Sequence, residues 1–253
     1  MSVFDQYAHY YDLLYRDKDY AAETDYIAAT LNRFAPQADH ILEFGSGTGI
    51  HGRLLAQKGY HLTGIERSPE MVALANQNPI NPAPGTFTCQ QGDIRQTTMD
   101  SNFDAVLSLF HVISYQTSND DLLVTFQNAS RHLKSGGLFL FDVWYTPAVL
   151  TQRPVVRVKR MEDEHIKLVR IAEPLMRPNE NIVEVNYTVY KEEKLTGCIS
   201  SLTEVHPMRY FSQPELNFLA SKTGFSPLHS EEFLTGKQPG EDTWGVCFVW
   251  RCS

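Results

Sequence analysis

Short apolar runs alternate with helix-period stretches through residues 41–147. Ile41, Leu42 and Phe44 make a run of strand length, and Ile50 to Lys58 follows as a helix that Gly59 stops. The strand pattern repeats at Tyr60 to Ile65, Thr86 to Gln90, Phe103 to Phe110 and Leu138 to Val143. Between these runs, Ser68 as N-cap and Pro69 at the first helical position start one helix. Asn119 to His132 predicts another, stopped by Lys134-Ser135-Gly136-Gly137. Asn76 to Gly85 and Met99 to Asn102 are connections. Alternation of this kind predicts a doubly wound α/β sheet.

Beyond residue 150 the period changes. Val155 to Lys159, Ile166 to Ile171, Ile182 to Tyr190 and Cys198 to Tyr210 are rich in β-formers, separated by charged or turn residues. Val183, Val185, Tyr187 and Val189 alternate with Glu184, Asn186, Thr188 and Tyr190, the period of a strand with one buried face. An inserted antiparallel meander is predicted. Ser212-x-x-Glu215 is a capping box that opens a last helix, which Gly224 ends. Leu228 to Leu234 and Thr243 to Trp250 then form a hairpin around a Gly/Pro loop. The division is a core over 1–150, an insert over 151–210 and a closing helix and hairpin over 211–253.

Ahead of the core lies an aromatic stretch: Phe4, Tyr7, Tyr10, Tyr11, Tyr15 and Tyr20. Tyr7, Tyr11 and Leu14 share one helical face, as do Tyr10, Leu13 and Leu14. The stretch is a helix packed on the core or a lid over a ligand, since tyrosines offer flat apolar faces with polar tips. Asp19 to Phe34 is a longer helix, ended by Pro36.

The 253 residues allow one domain with an insertion. A formal net charge of −8 argues against a nucleic-acid backbone as partner. Cys89, Cys198, Cys247 and Cys252 are scattered without zinc or redox spacing, which suits reduced thiols in a cytoplasmic protein. No residue cluster has metal-ligand spacing, so no metal is expected. Met1 to Asp5 shows no signal-peptide pattern, and no apolar run has the length of a membrane span.

The chemistry concentrates at strand ends. His40-Ile41-Leu42-Glu43-Phe44-Gly45-Ser46-Gly47-Thr48-Gly49 is strand, acid and alternating glycines. Its glycines permit a sharp turn and close approach of a ligand to the main chain. Gly47-x-Gly49-x-x-Gly52 also satisfies the dinucleotide fingerprint. Glu43 weighs against it: a carboxylate there repels a pyrophosphate but suits the ammonium of an amino acid. Glu66, about 20 residues past the loop, is placed to hold a ribose diol, a group NAD shares with S-adenosylmethionine (SAM). Asp93 can accept from an exocyclic amine, and the N–H of Ile94 can donate to a ring nitrogen.

Taken together, Leu42-Glu43-Phe44-Gly45-Ser46-Gly47-Thr48-Gly49, Gly64-Ile65-Glu66-Arg67-Ser68, Gly92-Asp93-Ile94 and Phe103-Asp104-Ala105-Val106 resemble class I SAM-dependent methyltransferases. The resemblance implies a seven-stranded Rossmann-like sheet with an antiparallel last strand. A narrower likeness rests on Tyr10-Tyr11-Asp12-Leu13-Leu14-Tyr15, Lys18-Asp19-Tyr20-Ala21-Ala22-Glu23, the β-rich insert and Met208-Arg209-Tyr210-Phe211. These look like bacterial N,N-dimethyltransferases of nucleotide-linked aminodeoxysugars, although His111-Val112-Ile113-Ser114-Tyr115 departs from their Ser-rich residues.

By that resemblance, SAM is the cofactor. Gly45, Ser46 and Gly47 line its methionine moiety, Glu43 orients that moiety, Glu66 holds the ribose, and Asp93 and Ile94 read adenine. Leu109 offers a carbonyl to the ammonium, and Tyr11 and Tyr20 close over the ligands. From its own position, Arg67 is a further expected cofactor contact, and Met71 faces back toward the ligand or the core. His111, at the end of the fourth strand, is the candidate base or a wall residue. Tyr15, Trp144, Tyr145 and His206 are expected to face a small-molecule acceptor, with plain packing the alternative for Trp144 and Tyr145 and a structural role the alternative for His206. An amino-sugar nitrogen is favoured, with O-methylation, a SAM-binding protein without turnover and an NAD-dependent dehydrogenase as rivals. A homodimer through the insert is a further expectation; a membrane partner is not.

Overall fold

The computed structural model describes residues 8–77 and 84–253. Phe4, Tyr7, the Met1 to Asp5 terminus and most of the 76–85 connection lie outside the described residues. The chain opens with α1 (Ala8–Leu14) and α2 (Tyr20–Phe34), followed by β1 (His40–Phe44), α3 (Ile50–Gln57), β2 (His61–Glu66), α4 (Pro69–Gln77) and β3 (Thr86–Gln91). It continues with β4 (Phe103–Ser108), α5 (Asn119–His132), β5 (Leu133–Trp144) and α6 (Thr146–Gln152). The insert is β6 (Arg157–Glu162), β7 (Ile166–Arg177), β8 (Ile182–Glu193) and β9 (Ile199–Arg209). The chain closes with α7 (Gln213–Lys222), β10 (Phe225–Glu232) and β11 (Gly245–Cys252).

The main sheet has seven strands in the order β10-β11-β5-β4-β1-β2-β3. Neighbours from β5 to β3 are parallel, and β11 runs antiparallel to both β5 and β10. Strand order reverses between β1 and β4, and such a reversal opens a crevice at the carboxyl edge. Ile41, Leu42 and Phe44 of β1 are buried completely, as its apolar run requires. One core lies around Phe126, Phe139, Phe141, Phe248 and Trp250, under α5 and α7. A second lies around Ile27, Leu31, Leu55 and Leu107, under α2 and α3. Helix α5 has the predicted bounds: the Ser118 hydroxyl accepts from the Asp121 N–H at 3.0 Å, and Leu122, Phe126 and Ala129 form its buried stripe.

Three elements differ from the sequence expectation. The stretch from Lys134 to Gly137, expected only as a helix stop, already belongs to β5. Leu133 pairs with Phe103, and the register shifts before Ala105 meets Leu138, so the glycines absorb an irregularity within the strand. Helix α6 was not predicted, although Pro147 in its first turn is the usual opening signal. Strand β10 starts at Phe225 and contains Pro227. It is an edge strand with a register shift at Pro227/His229, where a missing N–H is tolerated.

The insert is a separate four-stranded antiparallel sheet in sequential order. Its inner face packs on α1 through Leu14, Leu168 and Val189, and on α6 and the end of β5 through Val149, Trp144, Val183 and Tyr210. Arg209 fastens it to the core, donating to the Thr117 carbonyl at 3.1 Å and to Asn119 Oδ1 at 2.8 Å. Its guanidinium also pairs with Glu215 at 2.5 Å.

Candidate active site

A cavity of about 440 Å³ opens at the strand-order reversal, between the carboxyl ends of β1, β2 and β4 and the inner face of the insert. The turn after β1 makes its floor. Gly45, Gly47 and Gly49 all have positive φ, between 54° and 76°, a region that costs glycine nothing. The space above Gly45 is closed as well: an added Cβ would lie 2.6 Å from both Val112 methyls. That contact sets the segment after β4 directly beside the glycine turn.

Glu43 and Glu66 take different roles in this floor. The Glu66 carboxylate accepts the N–H of Gly47 and that of Ser68, each at 2.9 Å, and so braces the turn. Burial raises Glu66 above the ordinary carboxylate range, with those N–H groups pulling it back. Glu43 lacks comparable support. It is buried, and its Oε2 has no hydrogen-bond partner among the described residues. Burial first, then the neighbouring Glu66 charge, push its carboxyl up to about 8.

At the far end of the floor, Asp93 is held by Arg95. The guanidinium makes contacts of 2.6–3.1 Å to the carboxylate and reaches Asp121 at 2.9 Å. Arg95 keeps Asp93 below its usual range. Arg95 and Asp121 were not singled out in the sequence. Ile94, Arg67 and the buried Met71 line the same end.

The roof comes from α1 and the residues after it. The Thr48 hydroxyl donates to Asp12 Oδ1 at 2.7 Å, which ties α1 to the glycine turn. Tyr11 and Tyr15 pack at 4.7 Å between ring centroids, and Tyr15 meets Phe110 edge-on at 5.2 Å. The ammonium of Lys18 pairs with Glu23 and lies over the rings of Tyr20 and Phe110, 4.2 and 4.4 Å from their centroids. Glu23 also meets His51 Nε2 at 2.7 Å. Burial lowers both Lys18 and His51 and raises Tyr20.

His111 stands where floor and wall meet. Phe110 and His111 both have φ of 62°, a left-handed conformation that non-glycine residues adopt at a cost. The turn is held by Asp142, whose Oδ1 accepts the His111 N–H at 3.2 Å. Its Oδ2 lies 2.7 Å from His111 Nδ1, in a contact too bent for a straight hydrogen bond. Burial alone would raise Asp142, but the His111 ring and N–H overcome it and bring the carboxyl below its usual range. Trp144 meets the His111 ring edge-on at 6.0 Å. On the insert side the wall is Tyr187, His206 and Met208, and the Tyr115 hydroxyl meets His206 Nδ1 at 2.8 Å beside them.

The structure thus brings Tyr11, Tyr15, Tyr20, Glu43, Gly45, Ser46, Gly47, Glu66, Arg67, Met71, Asp93, Ile94, Leu109, His111, Trp144 and His206 around one cavity. Tyr145 is the exception and does not line it. Its N–H is taken by the Trp244 carbonyl at 3.0 Å, and its ring packs against the main core. Asp142 was missed, yet it is the one acid in the apolar run Leu138 to Val143, the same signal that marked Glu43. Among the described residues, no group of three His, Cys, Asp or Glu side chains could hold a metal ion.

Comparison with known proteins adds to this geometry. Residues 41–137 match a family profile described as a methyltransferase domain. A dTDP-3-amino-3,4,6-trideoxy-alpha-D-glucopyranose N,N-dimethyltransferase from Streptomyces venezuelae is 27% identical over 237 residues, 92% of this chain and 94% of that protein. A SAM-dependent methyltransferase from Clostridium acetobutylicum shares the fold with a TM-score of 0.81, at 20% identity over 98% of both chains. A SAM-bound amino pentose methyltransferase from Micromonospora echinaspora aligns with a TM-score of 0.75, at 21% identity over 100% of this chain and 99% of that one.

Proposed function

We propose that this chain, a SAM-dependent methyltransferase, methylates the amine of a small-molecule acceptor, and that the acceptor is a nucleotide-linked amino sugar. The residues present fit the cofactor. Glu43 offers a buried carboxylate oxygen without a partner, suited to an ammonium. The braced Glu66 keeps further lone pairs for a diol, and the glycine turn allows close approach of a ligand.

When bound, SAM supplies a methyl group already activated on a sulfonium. The chain has to align the acceptor, keep water out and take a proton. The observation that carries the reading is the His111–Asp142 pair at an aromatic end of the cavity. Ionised Asp142 favours the tautomer with the proton on Nδ1, which leaves Nε2 to accept one from the acceptor. Tyr15, Phe110, Trp144 and Tyr187 surround that end, and aromatic faces favour an amine that arrives as ammonium. His111 then returns it to the neutral, nucleophilic form. The relatives named for dTDP-linked amino sugars support the substrate class.

A hydroxyl acceptor is the second reading, because a His–Asp pair is also the base an alcohol needs. Incubation with SAM and a panel of dTDP-linked 3-amino and 4-amino deoxysugars, each beside its hydroxy counterpart, decides between them. A mass gain of one or two methyl groups on the amino compounds alone is expected. Methylation of the hydroxy compounds alone would sink the amine assignment.

The expected partner is a second copy of the chain, docked on the outer face of the insert. Val158, Leu175, Tyr190 and Val205 share that face and are each 43–53% exposed. Light scattering should give twice the chain mass, and Tyr190→Glu should return it to one; a monomeric wild type would remove this surface from consideration. Among the described residues no helix is long and apolar enough to cross a membrane. The scattered cysteines support a cytoplasmic setting.

A further inference from the structure

We propose that Arg157 and Lys159, backed by Arg170, form a phosphate-binding rim at the mouth of the cavity and hold the diphosphate of the methyl acceptor. This rests on the reading of that acceptor as a nucleotide-linked amino sugar.

The three cations share the inner face of the insert. Residues two apart on a strand point to one face, so Arg157 and Lys159 side with Met161 of β6, which packs on the α1 cluster. Lys159 stands directly opposite Arg170 of β7, and Arg157 stands opposite Ala172, diagonal to Arg170. The rim meets the cavity at two of its lining residues, Tyr15 and Tyr187. The Arg170 guanidinium lies over both rings, 5.5 and 5.0 Å from their centroids, and its Nη1 donates to the Tyr15 hydroxyl at 3.1 Å. The Lys159 ammonium is 5.6 Å from the Tyr15 centroid. The same Tyr15 ring meets Phe110, the residue before His111, edge-on at 5.2 Å. One aromatic ring therefore lies between the cations and the end of the cavity where methyl transfer is proposed.

The charges call for an anion. Like charges directly opposite each other on a sheet destabilise it, as Lys159 and Arg170 are here. The chain as a whole carries a formal net charge of −8, so a corner with three cations runs against its general balance. Asp17 pairs with Lys159 at 2.5 Å, but its side chain is 60% exposed, and an ion pair that open to water contributes little. The Arg157 side chain is exposed and makes no ion pair among the described residues. A diphosphate carries more charge than Asp17 and offers several oxygens, which an arginine fork and a lysine ammonium can share. Bound there, it takes the place of Asp17 on Lys159. The sugar attached to it then lies along Tyr15 and Tyr187, on the way to His111. Arg157 and Lys159 are the residues that select phosphate-bearing acceptors. Arg170 is a positioning residue, which holds Tyr15 and adds positive charge behind the rim.

Calorimetry on the full chain loaded with S-adenosylhomocysteine tests the rim, with pyrophosphate, thymidine diphosphate and thymidine as probes. Thymidine diphosphate should bind at least tenfold tighter than thymidine. Arg157→Gln and Lys159→Gln should each weaken thymidine diphosphate about tenfold, the scale of one lost hydrogen bond to a charged group, and should flatten its salt dependence. Thymidine should bind these variants and the wild type alike. Asp17→Asn removes the competing carboxylate and should tighten pyrophosphate several-fold, a gain that a misfolded variant cannot give. With a nucleotide-linked amino sugar that the enzyme methylates, Arg157→Gln and Lys159→Gln should each raise KM about tenfold while kcat stays within about twofold. Unchanged affinity for S-adenosylhomocysteine checks that each variant is folded. Thymidine diphosphate bound no tighter than thymidine, glutamine variants that bind it as the wild type does, or an Asp17→Asn protein that binds pyrophosphate no tighter would each overturn the proposal. Failure of the amino-sugar reading shows differently, as phosphate binding that responds to all three variants while no nucleotide-linked amine is methylated.

Discussion

Glu43→Gln is expected to weaken SAM binding on the order of 100-fold at pH 8, because it removes a buried charge from opposite a cationic ammonium. The wild-type affinity should itself depend on pH. Burial and the Glu66 charge hold the Glu43 carboxyl at about 8 in the ligand-free protein, so at pH 6 it is mostly protonated. An ammonium needs the ionised form, so binding below pH 8 must expel a proton. Affinity should then rise roughly tenfold per pH unit from pH 6 toward 8. Above that, the cofactor's own α-amino group, with a pKa of about 8, begins to lose its charge and the curve turns over. Without ligand the sign is reversed. The folded carboxyl titrates higher than the ordinary 4.5, so its favourable contribution is present at low pH and is lost as pH rises toward 8. The thermal stabilisation that SAM confers should therefore grow over the same interval. Calorimetric titration in buffers of different ionisation heat measures both affinity and the released proton. A flat pH profile without proton release, or a glutamine variant with unchanged affinity, would remove Glu43 from the cofactor site.

The sequence was most readable where one physical requirement left one residue type. Positive φ at Gly45, Gly47 and Gly49 favoured glycine, and a buried central strand required the apolar run of β1. Acids at the ends of such runs were visible because nothing in a buried strand otherwise asks for them. Asp142 carried this signal too but went unread, because its partner His111 lies 31 residues away in the turn after β4. Arg95 was hidden for a related reason. A surface-type residue close to Asp93 in sequence gives no hint that it will clamp that carboxylate and reach Asp121 on α5. The left-handed turn at Phe110 and His111 was not readable at all, since neither residue favours it; only the Asp142 carboxylate and the packing of Val112 on Gly45 explain it. Tyr145 failed in the opposite direction. Its place beside Trp144 at the strand end suggested the cavity, but the unpredicted helix α6 begins there and turns its ring to the core.

Asp142→Asn is expected to lower kcat by about 10² to 10⁴ while leaving SAM affinity nearly unchanged, provided His111 is the proton acceptor. The substitution keeps the shape of the side chain. Its amide oxygen should stay where Oδ1 is, because the backbone N–H of His111 still needs an acceptor there. The amide nitrogen is thereby turned toward His111 Nδ1, where it can only donate. The ring must then carry its own proton on Nε2, the nitrogen proposed to take the acceptor's proton, and a protonated nitrogen cannot take another without becoming a cation stripped of its carboxylate. His111→Gln should lose about as much, and the double variant little more, since the two residues act as one unit. The size of the loss also reports on the acceptor. An amine can shed its proton to water before attack, which puts the loss near the lower figure; an alcohol has no such route, which puts it near the upper. Single-turnover methyl transfer, read beside SAM binding by calorimetry, separates the base from mere support of the loop. Loss of SAM affinity in parallel with the rate would point to a collapsed turn at Phe110 and His111. A fully active Asp142→Asn enzyme would show that alignment alone drives the transfer and that His111 is a wall.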